Sequence, residues 1–201
     1  VLVCCSGIRK EYIIGIFACV VIVVGAFLFL YFEYPNILTS FISSYKLQRI
    51  DAWLEPESNI RGSSNQLYTA LLSLGSAGLT GYGLQANIIS IPEAHTDFIF
   101  AVAGEELGFI GSVLIVLLLL FIGYQCIQTA KVAKDLSGKL ICSGMAALVG
   151  FQSFVNICVV TGLFPNTGLP LPFVSYGLTS LVTMYFGMGF VLNVGLQAKK
   201  Y

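Results

Sequence analysis

The amino-acid sequence predicts an all-α, polytopic membrane protein, and three observations carry that reading. The 201 residues are 57% hydrophobic and only 10% charged, against roughly 25% charged in soluble domains. Four apolar stretches are each long enough to cross a bilayer, which takes about 20 residues. None alternates with period two, so helices and not barrel strands satisfy their backbone in lipid. The composition argues against a soluble globular domain and a disordered chain. Ten basic and ten acidic residues balance, so no basic field attracts nucleic acid.

The spans are expected at about 12–32, 96–127, 140–160 and 173–196, with an outer loop over about 33–95. The first holds no charge and exceeds the apolar core of a signal peptide. Before it, Val1-Leu2-Val3-Cys4-Cys5 reads as the end of an earlier apolar segment, so the chain is expected to be part of a longer protein. The basic residues set the orientation. Arg9 and Lys10, then Lys131, Lys134 and Lys139, then Lys199 and Lys200 all fall on one side, the cytoplasmic one. Lys46, Arg49 and Arg61 fall on the other, with Glu33, Asp51, Glu55, Glu57, Glu93 and Asp97.

Within the outer loop, Ile37, Leu38, Phe41, Ile42 and Tyr45 recur at helical spacing, with Lys46 and Arg49 following. This pattern suits an amphipathic helix on the outer leaflet. Gln66 to Leu74 is a second short helix, leading into the glycine-rich run Gly75 to Gly83. That run matches neither a Walker loop nor a dinucleotide fingerprint. Cys4, Cys5, Cys19, Cys126, Cys142 and Cys158 lack metal-site spacing and sit in or beside apolar runs; they read as small buried hydrophobes.

Chemistry points to the start of the second span. Thr96 is a plausible N-cap, with Asp97 in the first helical turn, where a carboxylate suits the helix dipole. On that reading Asp97 only starts a helix. On the other reading, the stripe Ala101, Gly104, Gly108 and Gly111 beneath it either packs a neighbour closely or leaves a groove running into the membrane. Glu105 is expected about 12 Å deeper than Asp97, offset by about 80° around the helix. An acid near the bilayer centre costs roughly 2.5–3.5 kcal/mol. Glu105 and the adjacent Glu106 therefore imply protein or a polar cavity on more than one side. Three prolines between Pro165 and Pro172 make a stiff, non-helical stretch, too apolar for a solvated loop and suited to a re-entrant or surface-buried segment. Gln152 and Asn156 on the third span, and Ser175, Thr179 and Thr183 at the fourth, are explained by helix–helix hydrogen bonds. His95, the only histidine, forms no metal cluster with scattered acids. Residue chemistry alone leaves transport and catalysis both open.

At these segments the chain resembles the SEDS family (shape, elongation, division and sporulation) of the RodA, FtsW and SpoVE type. The resemblance covers nearly the whole chain. It rests on Asp51-Ala52-Trp53-Leu54-Glu55-Pro56 and on Gly75 to Gly83. It rests most strongly on Pro92-Glu93-Ala94-His95-Thr96-Asp97-Phe98-Ile99-Phe100-Ala101-Val102 with Glu105-Glu106-Leu107-Gly108, and the Pro165 to Ser180 segment completes it. One departure is visible: Gly177 is followed by Leu178-Thr179, where many members carry a second glycine.

The resemblance implies the last four of about ten spans, the C-terminal part of a peptidoglycan glycosyltransferase that polymerises lipid II at the outer face of the bacterial cell membrane. Asp97 matches the family's essential aspartate and is the expected catalytic carboxylate. Arg49, Lys46, Glu93, His95, Thr96, Glu105 and Ser175 are the expected substrate-binding residues, with Arg49 first for the leaving pyrophosphate. No resident cofactor is implied, and a divalent cation is a further candidate for the pyrophosphate. Lipid II, membrane lipids and a class B penicillin-binding protein are the implied partners. A lipid II flippase using the same grooves without a base is the alternative, and a scaffold for the penicillin-binding protein is a third reading.

Overall fold

Every described element of the computed structural model is helical or a turn. The structure describes residues 44–54, 65–86, 88–89, 91 and 95–199, with scattered positions between 11 and 29. Five helices are bounded within these residues: α1 (Ser44–Leu54), α2 (Asn65–Ser76), α3 (Ile99–Val132), α4 (Leu136–Val160) and α5 (Leu178–Lys199). Of these, α3, α4 and α5 are long and apolar enough to cross a membrane. The described positions of the expected first span are helical and exposed, and its other residues lie outside the described set. Residues 37–43 of the expected amphipathic helix also lie outside the described set, and α1 begins at Ser44.

The helix boundaries differ from expectation for local reasons. α3 begins at Ile99 and not at Thr96, because residues 95–97 form turns. Phe98 is its N-cap, without a side-chain capping bond. The far end runs past Lys131 to Val132, since a lysine near a helix end carries its charge out to the interface. It stops where Ala133 turns extended (ψ 135°). α5 begins at Leu178 and not at residue 173, because the prolines and the left-handed Phe173 (φ 63°) exclude a helix before it.

The lysine-bearing ends of α3, α4 and α5 pack through small residues, as close helix approach in lipid requires. Gly138 lies against Val194, Gly195 against Thr129 and Gly187 against Met145. Cys126, Cys142, Ala146 and Val191 form one buried cluster there. Cys126, Cys142 and Cys158 are buried free thiols, whereas Cys19 is exposed. Large apolar side chains such as Phe109, Phe121, Tyr185 and Phe186 face outward, as lipid-facing surface does.

α3 is not one straight rod. At Gly108 the backbone leaves helical conformation (φ 67°, ψ −165°), leaving a half-helix over 99–107 and a full-length one over 109–132. The 24 residues of the second part span about 36 Å, enough to cross the hydrocarbon by themselves. The break removes the bonds that the carbonyls of Glu105 and Glu106 would accept from Phe109 and Ile110. The glycine-rich run replaces both sides. The N–H groups of Tyr82 and Gly83 donate to those two carbonyls, at 2.9 and 3.0 Å. The N–H groups of Phe109 and Ile110 donate to the carbonyls of Gly78 and Leu79, at 3.1 and 3.2 Å. Two lost helical bonds become four bonds to the loop. The close approach needs glycine on both partners: a Cβ on Gly81 would overlap the Glu106 carbonyl, and one on Gly108 would overlap the backbone of Leu79 and Gly81.

Gly108→Ala should therefore destabilise the protein severely. The φ and ψ of Gly108 lie in a region essentially restricted to glycine, at a cost of about 1–3 kcal/mol for alanine, and the overlap expels the loop from four backbone bonds. Gly189→Ala, where a Cβ meets nothing within 4 Å, should be near neutral. Thermal unfolding of the two variants in detergent measures the difference, and equal midpoints would refute it.

Candidate functional site

The break gives the small-residue stripe two roles. Ala101 is fully buried, Gly104 packs against Leu74 of α2, and Gly108 packs against the glycine loop. Below them an apolar groove of about 540 Å³ opens between α2, α3 and α4, lined by Phe100, Gly104, Gly108, Phe109 and Val116 among others. The stripe thus both packs and leaves a groove.

The break also removes the straight helix on which the expected depth order rested. α3 and α4 are antiparallel: Gly123 lies beside the Ala146 carbonyl, and Gly108 and Thr161 line one groove. A straight α3 would carry Asp97 about 16 Å beyond Gly108, past the end of α4. Instead Nδ2 of Asn156, one turn inside that end, donates to the Asp97 carbonyl at 2.7 Å. The half-helix folds back over the bundle, so Glu105 is not a helical turn or two below Asp97. Asp97 therefore lies before the helix and not in its first turn. Its partly buried carboxylate precedes the helix, and Oδ1 accepts from the Thr96 hydroxyl at 2.8 Å.

Glu105 is 2% exposed. Its Oε1 accepts from the N–H groups of Ile88 and Ile89, at 2.8 and 3.0 Å, and its Oε2 from the Ser73 hydroxyl at 2.8 Å. Glu106 Oε1 accepts from the N–H of Gln85 at 3.0 Å. The two acids thus face different neighbours, and both fasten the chain that follows the glycine loop.

The proline-rich segment is non-helical and buried at its end, with Leu171 and Pro172 almost fully enclosed while Thr167, Gly168 and Leu169 are exposed. Three side chains hold its carbonyls. Arg49 of α1 donates to Asn166 at 3.1 Å, Gln152 to Pro170 at 2.8 Å and Asn156 to Leu169 at 2.7 Å. Trp53 of α1 donates to the Gly162 carbonyl at 2.7 Å. The Tyr176 N–H donates to the His95 carbonyl at 2.8 Å, so the end of the segment rests on the turn that carries Asp97. Gln152 and Asn156 bond loop carbonyls and not a neighbouring helix, which corrects the helix–helix reading. The same correction applies to the hydroxyls: Ser175 Oγ accepts from the Leu171 N–H at 2.7 Å inside a turn, and Thr183 donates to the Thr179 carbonyl within α5.

The structure therefore brings together Asp97, Thr96, His95 and, through the proline segment, Arg49. His95 and Thr96 are exposed beside Asp97. Ser175 is buried in its turn and Glu105 beneath the loop. Lys46 belongs to α1, but its side chain lies outside the described residues, as does all of Glu93. Asn156 was not among the expected site residues; its signal was an amide one turn from another on an apolar helix. Among the described residues no three His, Cys, Asp or Glu side chains gather, so the described donor set does not build a metal centre.

A family model described as "Cell cycle protein", named for FtsW, RodA and SpoVE, matches residues 1–200. A probable peptidoglycan glycosyltransferase FtsW of Geobacter metallireducens is 39% identical over 197 residues, covering 96% of this chain and 49% of that protein. Stage V sporulation protein E of Bacillus subtilis is 41% identical over 158 residues, covering 77% of this chain and 43% of that protein. The chain thus spans about half the length of the curated relatives it matches. A solved structure described as "Structural coordination of polymerization and crosslinking by a peptidoglycan synthase complex" superposes with a TM-score of 0.74 at 28% identity. The match covers all of this chain and 53% of that one.

The bonds at Glu105 predict a graded response. Glu105→Gln keeps one oxygen for the Ile88 and Ile89 N–H groups, and its NH₂ can donate to the Ser73 hydroxyl, so folding should change by about 1 kcal/mol. Glu105→Leu removes the acceptor of two partly buried N–H groups, at up to about 1–3 kcal/mol each. Unfolding midpoints of the two variants test this. A Leu variant as stable as the Gln variant would show that the carboxylate does not anchor the loop.

Proposed function

The chain belongs to the family of cell cycle proteins that comprises FtsW, RodA and SpoVE, and from that membership we propose that it is part of a peptidoglycan glycosyltransferase that polymerises lipid II. The observation that carries the proposal is the seat of Asp97. Its carboxylate stands ahead of the half-helix, in a turn tied through Asn156 to a stiff proline segment, and an apolar groove runs along that half-helix from Phe100 to Gly108.

The chemistry follows from that seat. Asp97 takes the proton of the 4-hydroxyl of a GlcNAc on one lipid-linked unit as that oxygen bonds to C1 of a MurNAc on another. The bond from C1 to the pyrophosphate oxygen breaks, its electron pair leaves with undecaprenyl pyrophosphate, and C1 inverts to give the β-1,4 link. Thr96 orients the carboxylate through its hydroxyl. Arg49, which already bonds the rim at Asn166, supplies positive charge toward the departing pyrophosphate. The groove of about 540 Å³ suits an isoprenoid tail, because its wall is apolar and it opens toward lipid. The site faces the outer side of the bacterial cell membrane, opposite Lys131, Lys134 and Lys139. A class B penicillin-binding protein is the proposed partner, and division or sporulation the setting, as the relatives' names suggest.

Asp97→Asn keeps the side-chain size and the backbone bond to Asn156 but removes the proton acceptor. General-base contributions are about 10²–10⁴-fold, so glycan-chain synthesis from purified lipid II should fall to near background while lipid II binding persists. Near-normal synthesis would refute the catalytic assignment, and a flippase would transport lipid II without polymerising it. Arg49→Lys should lower the rate, since a lysine cannot reproduce the guanidinium fork. Equal rates would leave Arg49 as an anchor for the rim.

A further inference from the structure

Among the described residues, Asn156 bonds both halves of the site. Its Nδ2 spends both hydrogens, on the Asp97 carbonyl and on the Leu169 carbonyl, each at 2.7 Å. Two carbonyl acceptors on one nitrogen fix which way the amide points. Its Oδ1 is then buried with no donor among the described residues, although the residue is 1% exposed. The two N–H bonds account for the amide nitrogen, whereas the enclosed Oδ1 is left unused by the fold's own bonding among the described residues. Gln152, one turn away, offers a built-in comparison: it holds the Pro170 carbonyl of the same segment at 2.8 Å and is given no bond to the Asp97 turn.

Resting on the glycosyltransferase reading above, we propose that Asn156 is the positioning residue for the Asp97 carboxylate. It couples the turn carrying Asp97 to the proline segment on which Arg49 rests, so that base and pyrophosphate rim keep one geometry. Its enclosed Oδ1 accepts a hydrogen bond from a buried water. Both donors come from one nitrogen, so no shorter or singly donating side chain reproduces the bridge. The coupling acts on the position of the base and not on the lipid groove, so it bears on turnover more than on substrate affinity.

The test compares Asn156→Leu, Gln152→Leu and Asp97→Asn in the complete membrane protein with its partner, measuring kcat and KM for lipid II polymerisation, lipid II binding and the unfolding midpoint. Misplacement of a catalytic group by about 1 Å costs on the order of 10²-fold. Asn156→Leu should therefore lower kcat by about that factor with KM and binding little changed, while Gln152→Leu, at a similar loss of stability, should keep kcat within about tenfold of the parent. Equal kcat losses for the two Leu variants would overturn the proposal, as would a loss at Asn156 that falls on KM. Should Asn156→Leu fail to accumulate, Asn156→Gln carries the test. It keeps the amide but displaces it by one methylene, and a parental kcat there would overturn the proposal. Asp97→Asn separates the two levels. If the parent protein does not polymerise lipid II, the glycosyltransferase reading falls; if Asp97→Asn still polymerises, the catalytic role of Asp97 falls and the positioning role with it. If Asp97→Asn is inactive while the Asn156 variants turn over normally, only the positioning role falls.

Discussion

The structure depends on one backbone exchange. A membrane helix broken at Gly108 would expose two carbonyls and two N–H groups where water is scarce, at several kcal/mol for each group left unsatisfied. The glycine run from Gly78 to Gly83 takes up all four. Loop and break are thus two halves of one element: neither the loop conformation nor the helix break is stable without the other. Glycine is required at Gly81 and Gly108 because only two backbones without side chains come so close.

From that exchange the site follows. With α3 broken, the half-helix 99–107 folds back, and Asp97 reaches Asn156 on α4 instead of projecting beyond the bundle. Glu105 and Glu106 then become internal acceptors for the chain after the loop. Their charges stand outside the 24 residues that suffice to cross the bilayer, so their burden is satisfied by hydrogen bonds and not by hydrocarbon. The proline segment closes the other side, held at its carbonyls by Arg49, Gln152 and Asn156. Stiffness in that segment reduces the conformations these few bonds must exclude.

A polar rim over an apolar groove is the arrangement that chemistry on a lipid-linked sugar calls for. Headgroup reactions need fixed charges and hydrogen bonds, whereas the tail needs only apolar wall. Here the rim is built from turns and an irregular segment, and the wall from helices. Irregular backbone is tolerated at that level because side-chain amides from α4 satisfy it. Of the two amides, Asn156 also bonds the turn of Asp97, so Asp97 does not move independently of the Pro165–Pro172 segment.

The sequence by itself determined the class of the fold, three of its spans to within a few residues, and the non-helical character of the proline segment. Each follows from local composition, since lipid imposes helix on long apolar runs and proline excludes it. The family was legible too, because its motifs lie in contiguous runs such as Pro92 to Val102. The break in α3 was not legible. A glycine inside an apolar helix is common, and only the loop some thirty residues earlier in the chain makes Gly108 leave the helix. For the same reason Thr96 read as a cap, Asp97 as lying above Glu105, and Asn156 as a helix–helix contact. Which carbonyl an amide bonds, and how far a carboxylate stands from a membrane surface, depend on partners distant in sequence. Tertiary structure decided them, because a backbone group unsatisfied in one segment takes whatever donor or acceptor the fold brings to it.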